Sequence, residues 1–328
     1  MIPERLRFLV DTRGVPYRLA EVFVEAGYQL YLVGGSVRDA FLGGDNSDLD
    51  FTTDARPEEI EATLEGWADS IHKVGAVFGT IGAVKDGTSI EITTFRDEIY
   101  RDDSRKPKVT YSDSIETDLE RRDFTVNAIA VKLPDVTVID PHEGLADLAA
   151  RKLRTPMNPE VSFSDDPLRM LRLFRFQASI DFRPDEDALE AVRSMGERIE
   201  IVSAERIRDE LSKMMVAEAP GDALRALVHS GLAEYFLPEL PALGMEQDPH
   251  HRHKDVLEHT FAVVDKTSPD LVLRLAALLH DIGKPATKAV GPGGVSFHHH
   301  EVVGARMALK RMLALRYPKY VVEDVAQL

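Results

Sequence analysis

Short apolar runs, rich in β-branched and aromatic residues and bounded by Gly, Asp or Asn, recur through roughly the first 140 residues. Tyr28–Val33, Leu49–Thr53, Thr80–Lys85 and Ser89–Phe95 predict β-strands. Asn127–Lys132 and Val136–Ile139 flank Leu133-Pro134-Asp135 and predict a hairpin. Between these runs Pro57-Glu58-Glu59 opens a helix, because proline suits the first turn and acids suit the positive end of the helix dipole. Asp97–Ser114, charged and poor in apolar positions, predicts a loop. From about residue 143 the strand signal fades, and helical patterns of Leu, Met, Ala and Arg run to the end. Leu237-Pro238-Glu239-Leu240-Pro241 breaks that half in two. Tyr320–Leu328 reads as the middle of an amphipathic helix without a stop signal, so the natural protein is expected to continue beyond Leu328.

Composition narrows the function classes. A chain of 328 residues makes two or three domains at roughly 150 residues each. With 40 basic and 56 acidic residues the net charge is −16, which excludes binding to nucleic acid through bulk charge. Any RNA contact must come from selected Arg or Lys. The absence of Cys excludes disulfides, thiolate nucleophiles and Cys-ligated zinc. The start, Met1-Ile-Pro-Glu-Arg-Leu-Arg, does not read as a signal peptide, and no run approaches the roughly 18 apolar residues of a membrane helix. The expectation is a cytoplasmic protein with no membrane partner.

Two motifs carry chemistry. In Leu32-Val33-Gly34-Gly35-Ser36-Val37-Arg38-Asp39 a strand enters a glycine pair and then a helix, a turn that lets backbone N–H groups approach a phosphate. Asp48-Leu49-Asp50 follows on a strand, where positions i and i+2 face the same side, so two carboxylates converge. Hard oxygen ligands of this kind suit Mg²⁺ held together with substrate phosphates. The competing reading, a solvated acidic loop, draws on the polar Asp45-Asn46-Ser47 just before.

These residues, Gly34-Gly35-Ser36-Val37-Arg38-Asp39 with Leu42-Gly43 and Asp48-Leu49-Asp50, resemble the signature of class II nucleotidyltransferases, the bacterial CCA-adding enzymes and their poly(A) polymerase relatives. Arg121-Arg122-Asp123-Phe124-Thr125-Val126-Asn127-Ala128 resembles the family's ribose-recognition motif, and Asp166-Pro167-Leu168-Arg169-Met170-Leu171-Arg172 its nucleobase-selecting motif. The resemblance implies an α+β architecture: a polymerase-β-type head of mixed sheet and helices over residues 1–142, a helical neck for nucleobase and RNA recognition over 143–240, and an HD-type helical domain over 241–328. It implies that Asp48 and Asp50 hold Mg²⁺ against a triphosphate, with Glu91 as a third carboxylate on a neighbouring strand. Glu91 also reads as an ordinary exposed strand glutamate. Gly34, Gly35, Ser36, Arg38, Arg121, Arg122, Asp123 and Asn127 would then bind the nucleotide, together with Asp166, Arg169 and Arg172. Asp165 stands where the family has Glu.

Asp166 and Arg169 explain selection without a template. A carboxylate accepts from an exocyclic amine, and a guanidinium donates to a ring nitrogen or carbonyl. Cytosine and adenine present an amine beside an acceptor, whereas uracil and guanine present the opposite polarity. Before Pro167, Asp166 also reads as a helix N-cap. Arg169, Arg172 and Arg175 recur at i+3 as a basic stripe, which with Arg151-Lys152-Leu153-Arg154 offers contacts for RNA phosphates. Tyr100–Pro107 resembles the loop of full CCA-adding members.

Eight of the eleven His lie between His250 and His300. His259, His280-Asp281 and His300-Glu301 resemble the metal-dependent core of HD phosphohydrolases, which implies a second divalent metal on His259, His280, Asp281 and His300. No further Asp that would complete such a core stands out before Leu328, and His253, His298 and His299 read as surface residues. The expected function is addition of C, C and A to the tRNA 3′ end from CTP and ATP, the tRNA body being gripped by sequence beyond Leu328. The alternatives are an A-adding or poly(A) polymerase, an HD-domain phosphohydrolase or phosphodiesterase with an RNA-binding head, and a non-catalytic RNA-binding protein.

Overall fold

The computed structural model describes residues 4–44, 48–73, 79–99, 108–245, 255–291 and 294–328. Asp45-Asn46-Ser47, the segment Tyr100–Pro107 and His250, His251 and His253 lie outside the described residues. The chain forms two compact units, Met1–Asp165 and Asp166–Leu328. The first is α+β and the second is largely helical. Among the described residues no helix is long and apolar enough to cross a membrane.

In the first unit the strands are β1 (Leu30–Val33), β2 (Asp48–Thr53), β3 (Ser70–His72), β4 (Thr80–Lys85), β5 (Thr88–Thr94), β6 (Arg96–Ile99), β7 (Lys108–Tyr111), β8 (Ala130–Leu133) and β9 (Thr137–Ile139). The helices are α1 (Val15–Glu25), α2 (Gly35–Leu42), α3 (Pro57–Leu64), α4 (Ile115–Glu120), α5 (Gly144–Ala150) and α6 (Pro159–Asp165). A seven-stranded sheet runs in the order β3-β4-β5-β2-β1-β8-β9. Its β2–β5 pair is parallel and its other pairs are antiparallel. Alternation of side chains gives the sheet two distinct faces. One register row crosses five strands as Ile81, Ile92, Phe51, Leu32 and Val131, all buried. The other face carries Tyr31 and Val33, which pack with Phe95, Ala128, Ala130 and the α4 residues Ile115 and Leu119. Asp50 and Glu91 stand on this second face, being register neighbours of one another and one residue removed from Phe51 and Ile92.

The expected elements are present with shifted ends. The first strand starts at Leu30, and Thr125–Asn127 is a single 3₁₀ turn, so the predicted Asn127–Lys132 strand begins only at Ala130. Asp97–Ser114, expected as a loop, instead contributes to two paired strands, with Arg96 opposite Tyr111 and Ile99 opposite Lys108. Its charged composition hid an antiparallel ladder, which depends on backbone hydrogen bonds rather than on apolar side chains.

The second unit is built from α7 (Leu168–Ile180), α8 (Glu186–Met195), α9 (Ala204–Met215), α10 (Gly221–His229), α11 (Ala233–Phe236), α12 (Val256–Lys266), α13 (Leu271–Leu279), α14 (Lys284–Thr287), α15 (His300–Ala314) and α16 (Lys319–Gln327). Helix α9 shows why such a sequence helps build a core. Ser203 caps it by accepting from the Arg206 N–H, and its buried stripe is Ile207, Leu211, Met214 and Met215. The end of α9 is fastened by Arg274 of α13, which is 2 % exposed. Its guanidinium donates to the carbonyls of Thr267 at 3.0 Å, Met215 at 2.8 Å and Glu218 at 3.1 Å, and to that of Ala217. A buried cation is here satisfied by backbone carbonyls.

Candidate active site

The glycine turn places the first group of site residues. Gly34 ends β1 with φ 68° and ψ −137°, a backbone state that disfavours any side chain, and it caps the start of α2. A Cβ on Gly34 would lie 3.0 Å from Arg122 Nη1 and 3.8 Å from Asp50 Oδ2. The bare turn therefore sits between a cation and an anion. Gly35 opens α2, and the next residue, Ser36, accepts through Oγ from the Asp50 N–H at 3.1 Å, which ties β2 to the first turn of α2. On β2, Asp50 is opposite Glu91 of the parallel β5, and Asp48 is opposite Ser89. Ile90 and Ile92 are buried while Glu91 is exposed, as alternation requires. Gly82 of β4 faces Glu91 from the other side.

The Arg121–Asn127 segment comes to the same place from α4. Asp118, fully buried, accepts from Arg121 Nη2 at 2.7 Å and Nε at 3.2 Å, and from Arg122 Nη2 at 3.0 Å. Burial alone would raise the Asp118 carboxyl; the two guanidiniums outweigh it and hold it below the usual carboxylate range. Arg38 of α2 donates to both Asp39 oxygens at 2.8 and 2.9 Å and to Asn127 Oδ1 at 2.7 Å. Asn127 in turn donates to Asp123 Oδ1 at 2.9 Å, which also takes the Phe124 N–H at 2.8 Å. The structure thus brings Gly34, Ser36, Asp50, Glu91 and Arg122 together directly. Arg38, Asn127 and Asp123 form one hydrogen-bonded chain behind the turn. This arrangement can receive a polyanion over the turn and offers carboxylate oxygens on the strands beside it.

In the second unit, Asp166 lies two residues before α7 and Arg169 in its first turn, with the Arg169 N–H bonded to the Asp166 carbonyl at 3.0 Å. Asp166 stands one residue before the N-cap position, which Pro167 takes, and its Oδ1 accepts from the Leu168 N–H at 3.1 Å. Its other oxygen, Oδ2, accepts from Arg206 of α9 at 2.7 Å. Arg169 is buried. Arg172 and Arg175 converge on buried Glu210 of α9, at 3.3 and 2.9 Å, and Arg175 lies 3.6 Å over the Phe176 ring. The expected basic stripe is therefore a set of partly buried, engaged guanidiniums. Arg154, in the other expected cluster, pairs with Asp147 at 2.9 Å.

The histidines give a second candidate centre. His259, His280 and Asp281 each offer a ligand atom, and these lie within 4.8 Å of one another. Asp281 is buried and accepts from His280 Nε2 at 3.0 Å and Lys284 Nζ at 2.6 Å. Burial would raise its carboxyl, but these two donors hold it at about 2. His300 Nε2 stands 3.7 Å from the other Asp281 oxygen, outside the group of three. Neutral imidazoles with a carboxylate suit a divalent transition metal.

Sequence reasoning did not single out Asp118, Glu210 or Arg206. Asp118 had a local signal, an acid three and four residues before an arginine pair. Glu210 had another, an acid on the apolar stripe of α9. Arg206 had none.

Three family models match successive parts of the chain. The Poly A polymerase head domain matches residues 30–154, the probable RNA and SrmB-binding site of polymerase A matches 181–243, and the HD domain matches 255–328. The CCA-adding enzyme of Levilactobacillus brevis is 41% identical over 212 residues, 64% of this chain and 52% of the relative. That of Streptococcus pyogenes is 40% identical over 224 residues, 68% of this chain and 54% of the relative. The chain spans about half the length of these curated relatives. Among solved structures, the Bacillus stearothermophilus CCA-adding enzyme in complex with CTP aligns with a TM-score of 0.72 at 26% identity, over 99% of this chain and 69% of that one.

Proposed function

The chain belongs to the family of CCA-adding enzymes and poly(A) polymerases, and from that premise we propose that it adds C, C and A without a template to the 3′ end of tRNA, using CTP and ATP and releasing pyrophosphate. The observation that carries this reading is the placement of Asp50 and Glu91 in register on parallel strands, beside a bare Gly34 turn with Arg122 over it. RNA binding alone has no need of two carboxylates in register beside a bare glycine turn.

Adjacent carboxylates are the donor set that Mg²⁺ takes, so Asp48 and Asp50, with Glu91 beside them, would hold the ion. An ion held there would lower the pKa of the attacking hydroxyl and offset charge on the triphosphate. Arg122 and the Gly34–Gly35 turn bind and orient the β- and γ-phosphates. Asp123, fixed by Asn127 and thereby by Arg38, accepts from the ribose hydroxyls, which favours NTP over dNTP. Asp166 accepts from the exocyclic amine of C or A while Arg169 donates to the adjacent ring acceptor, and U and G present the wrong polarity to both. Asp166 remains able to do so while bonded to Arg206, because a carboxylate has about four acceptor sites.

The division of labour we propose is a catalytic head over 1–142, a neck for base and RNA recognition over 143–240 and an HD-type domain over 241–328, working in the cytoplasm. The His259–His280–Asp281 group would hold a second divalent metal.

The test incubates the protein with Mg²⁺, each NTP separately and a tRNA transcript ending before its CCA, with products resolved at single-nucleotide length. Two additions with CTP alone, and a third only after ATP is supplied, are expected. ATP tails of indefinite length would move the protein to the poly(A) polymerases. Asp50→Ala is expected to abolish addition without lowering the thermal unfolding midpoint; retained addition would remove the two-carboxylate site from the reaction.

A further inference from the structure

Asp118 is an acid with no exposed surface on a six-residue helix. Its neighbours on that helix, Ile115 and Leu119, belong to the apolar cluster beneath the sheet. Net stability relative to apolar side chains of the same shape does not explain an acid there. A buried ion pair contributes little net stability compared with apolar side chains of the same shape, and the fold already places apolar residues around it. What the acid does is geometric. One oxygen takes Nε and Nη2 of Arg121, and the other takes Nη2 of Arg122, so Arg121 is held at two nitrogens and Arg122 at one. Held in this way, Arg122 turns its other amino group, Nη1, toward the Gly34 turn, where it lies 3.0 Å from the place a Cβ would occupy. Asp50 Oδ2 approaches the same point from the strand.

We propose that Asp118 is a positioning residue for the incoming nucleotide: by clamping Arg121 and Arg122 it aims the Arg122 guanidinium at the β- and γ-phosphates over the Gly34 turn. The proposal rests on the nucleotidyl-transfer reading above. It assigns Asp118 no contact with substrate. Its effect is confined to the part of the affinity that comes from the terminal phosphates, because the base and ribose are read by other residues.

The experiment measures Kd for CTP and for CMP by titration calorimetry, with Mg²⁺, on the whole chain and its Asp118→Asn, Arg122→Ala and double variants. The ratio of the two constants cancels any loss of folded protein. Asp118→Asn is expected to reduce the preference for CTP over CMP about tenfold or more, the effect of losing one charge-assisted hydrogen bond. It should reduce it no further in the Arg122→Ala background. A lower unfolding midpoint with an unchanged ratio would overturn the proposal and leave Asp118 a structural acid. So would a loss in the double variant equal to the sum of the single losses, since Asp118 would then act independently of Arg122. Should Asp118→Asn fail to fold, Asp118→Glu keeps the charge and displaces both guanidiniums by one methylene; it is expected to lower the same ratio, and an unchanged ratio again overturns the proposal. If the unaltered protein shows no preference for CTP over CMP, both this assignment and the nucleotidyl-transfer reading fall. If Arg122→Ala lowers the preference and both Asp118 variants retain it, only the assignment to Asp118 falls.

Discussion

Asp118 and Glu210 are both buried acids that hold pairs of arginines, and they differ in how far the chain travels to assemble them. Asp118 meets Arg121 and Arg122 three and four residues later, within one turn of chain. Glu210 on α9 meets Arg172 and Arg175 on α7, 38 and 35 residues earlier. The local clamp presents a guanidinium to a bare glycine turn. The distant one draws its guanidiniums inward and joins two helices. A run of arginines at helical spacing is therefore ambiguous by itself: its role depends on where the acid that holds it stands.

The comparison predicts different effects of the two acids on nucleotide preference, and the largest effect is on stability. Glu210→Ala removes the buried acid that Arg172 and Arg175 share, and breaking such a group by removing one partner costs about 3–5 kcal/mol. Urea unfolding of the second unit is expected to shift by that amount, with the preference for CTP over CMP unchanged. A change in that preference with no stability loss would break the distinction between the two clamps.

A second measurement uses pH. The Asp118 carboxyl is held below its ordinary value of 3.8: burial raises it, but Arg121 and Arg122 overcome that and lower it. A carboxyl depressed in the folded state contributes stability that is present above the unfolded-state pKa and is lost as pH falls through the folded-state pKa. The stability difference between the protein and Asp118→Asn is thus expected to be constant from pH 7 to about 5 and to shrink below about pH 4. A difference that grows on acidification would mean that Asp118 is protonated in the fold and is no clamp.

Much of the strand side of the site was legible in the sequence, because alternation alone separates Asp50 from Leu49 and Phe51, and Glu91 from Ile90 and Ile92. The register that sets Asp50 against Glu91 was not, since parallel pairing joins segments 41 residues apart with no local signal. The arginine pair before Asp123 was legible as a nucleotide ligand, while the buried acid that clamps it was not singled out. At α7 the reading went astray for a physical reason. The helix read as a basic stripe offering contacts to RNA phosphates, and Glu210, an acid on the apolar face formed by Ile207, Leu211 and Met214, engages two of its arginines instead. An acid at an apolar register position is the sequence trace of such a clamp.

The smallest effect is expected where the same chemistry is exposed. Arg225 of α10 donates to both oxygens of Glu258 on α12, with Nη2 to Oε2 at 2.6 Å, and it also bonds Asp222. The hydrogen bonds from Arg225 hold the Glu258 carboxyl below its ordinary range, yet the two side chains are 35% and 43% exposed. Water and salt screen a pair of this kind, so its geometry overstates its energy. Glu258→Ala is expected to shift urea unfolding by at most about 1 kcal/mol, and 0.5 M salt should remove most of the difference. A loss as large as that for Glu210→Ala would show that helix-to-helix span, and not burial, sets the strength of these clamps. The contrast between Asp118 and Glu210 would then have to be redrawn around chain distance alone.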